Sequence, residues 1–241
     1  MLRDDQGESP VRFPVPIPAA QAHAGLFGPL PLSALGQLLL PPLIVAASTR
    51  PKRNLHSHSE LAREVICDPA IRSNVRQLFG GGYQLWRTNF FQRQADVAHS
   101  GVDWHHDKHF QDGEAPVDFT EVGDHISIVI ALDQIDHRNG PFQYIPGSFG
   151  ADIGGTSRDS RLYHQRPAGD HFLPLPEALV AQAVVLPIPA GHFCLFHSAL
   201  LHGSTASEGA AARTSMVGRL VRNHCTIPAA SATPADVMPF C

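Results

Sequence analysis

Two textures divide the chain near residue 82. Before it, apolar residues recur at helical spacing: Leu61, Val65 and Ile66 within residues 59–67, then Ile71, Val75, Leu78 and Phe79 after Asp68-Pro69. Intervals of three and four place such residues on one helix face, so two short helices are predicted. Asp68 is a suitable N-cap, Pro69 suits the first helical position, and Gly80-Gly81-Gly82 stops the second helix. Residues 32–40 predict a further short helix, ended by Pro41-Pro42. Residues 1–32 carry six prolines and no helical period, which predicts extended chain or loop over the surface. Residues 50–58 are polar and basic and read as a loop or lid.

After residue 82 the pattern becomes short, β-branched and aromatic. Strands are predicted over 83–91, 126–132, 143–145, 184–188, 192–197 and 213–221, separated by Gly- and Pro-containing turns. Many short strands of this kind indicate a β-sandwich or barrel. Residues 150–180, rich in Gly, Ser, Asp and Arg, form a long excursion with a turn of helix near 176–182; loops of that length are functional lids or disordered segments. No repeat of fixed period is present. The expected organisation is one domain over 1–241, with helical and loop support over 1–82, a β-rich core over 83–224 and a tail over 225–241.

Composition narrows the function classes. The 241 residues carry a formal net charge of −4, with no basic footprint of the kind nucleic acid demands. The four cysteines (Cys67, Cys194, Cys225, Cys241) are scattered without a CxxC pair, which argues against a disulfide framework or a structural zinc. The longest mostly apolar run, residues 34–47, is too short to span a bilayer and is broken by Gly36, Gln37, Pro41 and Pro42. The expectation is a soluble, cytoplasmic protein acting on a small molecule, without nucleic acid or membrane partners.

The densest chemistry lies in Trp104-His105-His106-Asp107-Lys108-His109. Residues two apart on a strand share a face, so His105 and Asp107 can converge, with His106 turned away. Imidazole beside carboxylate suits a divalent first-row metal that takes its third ligand from elsewhere, although taken alone a His near an Asp reads first as an incidental surface or satisfied pair. Lys108 and His109 follow as rim residues able to reach a substrate. Downstream, His202-Gly203-Ser204 ends one strand and Arg213 opens the next, eleven residues after His202. Arg213 offers a bidentate fork for a carboxylate. Arg219 shares its strand parity and, if buried, requires an anion from the protein or the substrate.

These pieces together, WHHD, then Asn139-Gly140-Pro141 leading to Pro146-Gly147-Ser148, then HGS and the distal arginine, resemble the phytanoyl-CoA dioxygenase family of iron(II)/2-oxoglutarate oxygenases. The resemblance covers about residues 83–224. It implies a double-stranded β-helix core, of jelly-roll or cupin-like type, behind a helical amino-terminal third. It implies that His105, Asp107 and His202 form a 2-His-1-carboxylate facial triad for Fe(II). Arg213 would hold the far carboxylate of 2-oxoglutarate, with Ser204 beside it. Apart from the resemblance, Arg87 and Asn89 alternate on the strand before the motif, where Asn89 either lines the cofactor pocket or serves the structure. The implied reaction consumes O2 and 2-oxoglutarate and hydroxylates, or otherwise oxidises, an unactivated C–H bond. Phe149 departs from the pattern, which has His after Pro-Gly-Ser, so loop packing should differ there. An aspartate at 107 fills the position that related halogenases leave open for chloride, which favours hydroxylation.

Arg219, Lys108 and His109 are the substrate candidates, and they suggest a polar or anionic metabolite such as an amino acid or natural-product intermediate. Two other classes fit the residues less fully: a cupin-like metal-dependent hydrolase or isomerase without 2-oxoglutarate, and a non-catalytic β-sandwich binding module.

Overall fold

The computed structural model describes residues 24–49, 53–98, 101–107, 123–149, 164–165, 171–207, 209–225, 227 and 237–240. Strand β1 (Leu26–Pro31) precedes helix α1 (Ala34–Thr49), a 3-10 turn (Leu55–Ser57), α2 (Glu60–Ile66) and α3 (Pro69–Phe79). There follow β2 (Tyr83–Arg93), β3 (Val102–His105), β4 (His125–Ala131), β5 (Phe142–Tyr144), β6 (His164–Gln165) and β7 (His171–Phe172). After α4 (Glu177–Val180) come β8 (Val184–Leu186), β9 (His192–His197), β10 (His202–Ser204), β11 (Arg213–Arg222) and β12 (Met238–Pro239). A six-stranded sheet, β1-β9-β4-β11-β2-β12, faces a four-stranded sheet, β3-β10-β5-β8, and β6 pairs with β7. All the pairings are antiparallel. This is the predicted double-stranded β-helix with helices at the amino-terminal end. Among the described residues, no helix is long and apolar enough to cross a membrane.

The helices cover the outer face of the larger sheet. Leu43, Val65, Ile66, Ile71 and Val75 pack there with Ile126, Ile128, Met216 and Leu220 in one buried cluster. Gly218 on β11 permits this contact, because a Cβ there would lie 2.4 Å from Ile66 Cδ1. A second cluster, including Val129, Phe142, Cys194 and Phe196, fills the space between the sheets.

The two predicted helices are present, with the expected cap at Asp68 and a further one at Ser59. Ser59 Oγ accepts from the Ala62 amide at the start of α2, and Asp68 accepts from the Ala70 amide at the start of α3. Asp68 does more than cap α3. It also accepts from the Ser33 amide at 3.1 Å and from Ser33 Oγ at 2.5 Å, while Ser33 Oγ accepts from the Gly36 amide in the first turn of α1. One buried carboxylate therefore joins two helix starts.

Several expectations need correction. α1 does not stop at Pro41-Pro42 but runs on to Thr49. Both prolines, and Gln37 and Leu38 whose carbonyls lose their usual donors, are exposed, so water can satisfy those carbonyls. Buried Leu40, Leu43 and Ala47 anchor the helix on both sides of the break. Residues 26–31 are a strand rather than surface loop; as an edge strand β1 tolerates its prolines. Residues 55–57 are a buttress rather than a lid, for Leu55 is fully buried and His56 Nδ1 lies 2.7 Å from Thr88 Oγ1. The stretch read as a tail contributes β12, and Phe240 enters the main core.

The double role of Asp68 sets a stability test. Asp68→Ala should lower the unfolding free energy by about 2 kcal/mol, against about 1 for the single cap lost in Ser59→Ala, on the usual worth of a helix cap. Urea denaturation of both variants measures the difference, and equal losses would show that the link to Ser33 adds nothing.

Candidate metal and cosubstrate site

Antiparallel pairing of β3 with β10 sets His105 opposite His202, and Asp107 follows just beyond β3. The Asp107 amide donates to the Ser198 carbonyl at 2.9 Å, which fixes its backbone to the β9–β10 connection. His105 Nδ1 lies 2.7 Å from the Asp103 carbonyl, and His202 Nδ1 lies 2.9 Å from the Leu200 carbonyl. A carbonyl only accepts, so each Nδ1 carries the proton and each Nε2 keeps its lone pair. Those two Nε2 atoms lie 3.9 and 3.7 Å from Asp107 Oδ1. The three ligating atoms are mutually within 4.8 Å.

The charge states suit a cation. Burial, aided by the neighbouring His202, lowers the His105 imidazole to about 3, and burial lowers His202 as well. Burial would raise the Asp107 carboxyl, but the Arg219 guanidinium and both imidazoles hold it well below the usual carboxylate range. Two neutral imidazoles and one carboxylate are the deprotonated donors that a divalent metal needs.

Asp107 is held from below by two residues. Arg219 Nη2 donates to Oδ1 at 2.8 Å, and Ser127 Oγ donates to Oδ2. Ser127 and Arg219 are directly opposite on the β4–β11 ladder. The anion that Arg219 requires is thus the Asp107 carboxylate itself.

A cavity of about 320 Å³ opens beside this cluster between the two sheets. Alternate residues of β11, Arg213, Ser215, Val217 and Arg219, line it, as strand parity predicts. Arg213 Nη1 donates to the Gly140 carbonyl, leaving Nε buried without a partner among the described residues. Ser215 Oγ and Arg219 Nε are buried and unpartnered in the same sense. Burial, together with the like charge of Arg93, lowers Arg213 to about 10, so it remains a cation at neutral pH. Three unsatisfied polar atoms on one strand face, beginning at a buried guanidinium and ending beside the histidine and aspartate cluster, form a cradle that suits an elongated anion. The donor set and the cradle both fit iron(II) with a 2-oxo dicarboxylate.

The other motif residues position these groups. The Ile145 amide donates to the Leu201 carbonyl at 3.0 Å and the Leu201 amide to Ser148 Oγ at 2.8 Å, so the Pro-Gly-Ser turn clamps the residue before His202. Phe149, the departure from pattern, stacks on His197 with ring centroids 4.7 Å apart and plays no part in the cavity. A Cβ on Gly203 would lie 2.6 Å from the Val102 carbonyl, so only glycine lets β3 and β10 approach at His202.

Among the proposed cofactor contacts, Ser204 lines the cavity but accepts from Arg93 Nη2 at 2.7 Å rather than from Arg213. Asn89 lies outside the cavity lining, its Oδ1 buried without a partner among the described residues. His106 is buried and turned from the cavity. Lys108 and His109 lie outside the described residues. Sequence reasoning passed over Arg93 and Ser127. Arg93 shares strand parity with Arg87 and Asn89 on β2, which was a usable signal; Ser127 carried none, since its importance arises from pairing with β11.

The fold and the site define a double-stranded β-helix protein in which two histidines and one aspartate converge beside a row of unpartnered buried polar atoms. Residues 43–215 match the phytanoyl-CoA dioxygenase family model, and the chain belongs to that family of iron(II)- and 2-oxoglutarate-dependent dioxygenases. It is similar to L-proline trans-4-hydroxylase of Streptomyces griseoviridis, with 26% identity over 182 residues, 70% of this chain and 65% of that one. The chain therefore spans just under two thirds of that curated relative. Among solved structures, EctD from S. alaskensis with bound Fe has a TM-score of 0.65 at 16% identity, covering 92% of this chain and 84% of that one. The epimerase SnoN, in complex with Fe3+, alpha ketoglutarate and nogalamycin RO, has a TM-score of 0.63 at 15% identity, covering 85% and 81%. At these identities the structural likenesses establish the fold.

The close approach at Gly203 is testable. Gly203→Ala should force β3 from β10, lowering stability by about 1–3 kcal/mol, the usual cost of overpacking. It should also weaken Mn(II) or Co(II) binding. Isothermal titration and thermal melts of the metal-free protein would show both effects; unchanged metal affinity would mean that the strand spacing does not set the cluster.

Proposed function

We propose that His105, Asp107 and His202 hold Fe(II), that Arg213 takes the far carboxylate of 2-oxoglutarate, and that the enzyme hydroxylates a C–H bond of a small metabolite. The observation that carries this reading is the row of buried, unpartnered donors on β11 leading from Arg213 to the histidine and aspartate cluster. Iron(II) with 2-oxoglutarate and O2 supplies the oxidising power, decarboxylating the oxoacid to succinate as one oxygen atom enters the substrate. The chain's own residues do the rest. Burial keeps both imidazoles neutral, and Nδ1–H donation to the Asp103 and Leu200 carbonyls turns each Nε2 toward Asp107. Arg93, bonded to Ser204 and to the Asn139 carbonyl, fixes the loop whose Gly140 carbonyl orients Arg213. Phe142, Phe196, Val129 and Val217 wall the cavity and exclude water from the reacting groups.

The substrate expectation shifts with the geometry. Arg219 was one ground for a polar or anionic metabolite, but its Nη2 is committed to Asp107. The cavity rim presents Phe91 and Val102, 47% and 45% exposed. The substrate we propose is an amino acid or natural-product intermediate that sets an apolar face against Phe91 and Val102. The similarity to a proline hydroxylase supports the amino-acid form of this reading.

Purified protein with Fe(II), 2-oxoglutarate and O2 should release succinate even without substrate, and Asp107→Ala should abolish the release. Among a panel of amino acids and related small metabolites, the substrate is the one that raises the rate. Adding 2-oxoglutarate to the anaerobic Fe(II) protein should give a visible charge-transfer band; no band would favour a cupin-like hydrolase or isomerase, and iron binding unchanged by His202→Ala would favour a binding module. Arg213→Leu should raise the KM for 2-oxoglutarate roughly 30-fold, the equivalent of about 2 kcal/mol for hydrogen bonds to a charged group. A KM within twofold of the parent enzyme would place the far carboxylate elsewhere.

A further inference from the structure

Away from the cavity, at the outer end of the β4–β11 ladder, three unlike metal-binding side chains meet. Asp124 stands immediately before β4, and His224 and Cys225 lie in the turn that leaves β11. His224 Nε2 lies 3.2 Å from Asp124 Oδ1, and the Cys225 thiol hydrogen-bonds the same carboxylate. The carboxylate oxygen, the imidazole nitrogen and the sulfur are mutually within 4.8 Å. We propose that Asp124, His224 and Cys225 form a second metal site, separate from the iron site, for a borderline divalent ion of the zinc class.

The donor chemistry selects that class. One sulfur, one imidazole nitrogen and one carboxylate oxygen together match zinc or cobalt, whereas magnesium and calcium take oxygen alone. Three protein ligands leave a fourth position for water. The donors differ in exposure in a way that suits loading from solvent: Asp124 and Cys225 are buried, while the His224 side chain is 66% exposed and provides the entry.

The backbone fixes the arrangement. The Arg222 amide donates to the Asp124 carbonyl and the Cys225 amide to the Arg222 carbonyl, both at 2.9 Å, so the turn is tied to the strand that bears the carboxylate. The adjacent Arg222 side chain reaches toward other groups. Arg222 donates through Nη1 and Nη2 to the Gly81 and Phe79 carbonyls and lies over the Tyr83 ring. Trp86 and Val221 pack against Cys225 and form an apolar floor beneath the sulfur.

His224 and Cys225 fall beyond residue 215, where the family match ends. A metal here would bridge the end of β11 to the start of β4, the two strands that carry Arg219 and Ser127. It would thereby stiffen the pair of residues that holds Asp107.

Cobalt(II) distinguishes the two sites, because only this one supplies a thiolate. Chelator-stripped full-length His105→Ala protein, in which the first cluster is disabled, should develop on titration with Co(II) a near-ultraviolet thiolate-to-cobalt band that saturates at one bound equivalent per chain. Cys225→Ser should abolish the band. His224→Gln and Asp124→Asn should each weaken the cobalt affinity behind it roughly tenfold or more, the scale on which ligand-shell changes act. The parent protein should show the same thiolate band, and Cys225→Ser alone should leave the band of anaerobic Fe(II) with 2-oxoglutarate intact. His224→Gln, at an exposed position, keeps the test open if the buried variants fail to fold. Absence of the thiolate band would overturn the proposal. So would a band that survives Cys225→Ser, or one whose affinity is indifferent to His224→Gln, which would indicate an isolated thiol.

Discussion

The site depends on how the buried carboxylate of Asp107 is held. A lone carboxylate withdrawn from water is strongly disfavoured unless its oxygens are matched by donors. Here Arg219 satisfies Oδ1 and Ser127 satisfies Oδ2, and those residues are direct cross-strand neighbours. The register of β4 against β11 therefore places the Asp107 carboxylate. A slip of one residue would turn Arg219 and Ser127 to the helix side and leave the carboxylate buried and bare.

The motifs around the cluster act through backbone geometry. Gly140 has a φ of 79°, and a Cβ there would lie 1.9 Å from Arg93 Nη1, so the Asn139-Gly140 turn can close over two guanidinium groups only with glycine. Its two carbonyls then accept from Arg93 and from Arg213. Asn139 stiffens the turn by donating to the Gln134 and Ala212 carbonyls, and the second of these immediately precedes Arg213. A loop that looks in sequence like a simple turn thus aims the cation at the cavity.

What could be read from the chain was whatever local chemistry determines. The cap at Asp68, the two-residue spacing that brings His105 and Asp107 to one side, and the alternation from Arg213 to Arg219 all follow from short-range spacing along the chain. Features decided by neighbours distant in sequence were hidden. α1 passes through Pro41-Pro42 because burial of Leu40, Leu43 and Ala47 anchors it, and no local pattern reveals that burial. The role of Ser127 exists only once β11 lies beside it, and the partner of Arg219 is 112 residues away. β12 was invisible for a related reason: its two residues, Met238 and Pro239, become a strand only by adding to the edge of β2.

β11 also shows how a polar cavity can be kept in the middle of a folded domain. Arg213 Nε, Ser215 Oγ and Arg219 Nε lie buried without partners on its inner face. Each such atom costs about 1–3 kcal/mol relative to a satisfied one. The same strand turns Met216 and Leu220 to the outer face, where both are fully buried with the residues of α2 and α3, and Gly218 admits Ile66 between them. Alternation places the unfavourable and the favourable groups on a single rigid element, so the cradle cannot relax by rotating its side chains toward water without dismantling the helix–sheet core. The unsatisfied donors therefore stay aimed into the cavity, where an anionic guest that supplies their missing partners recovers the free energy that folding left unrealised.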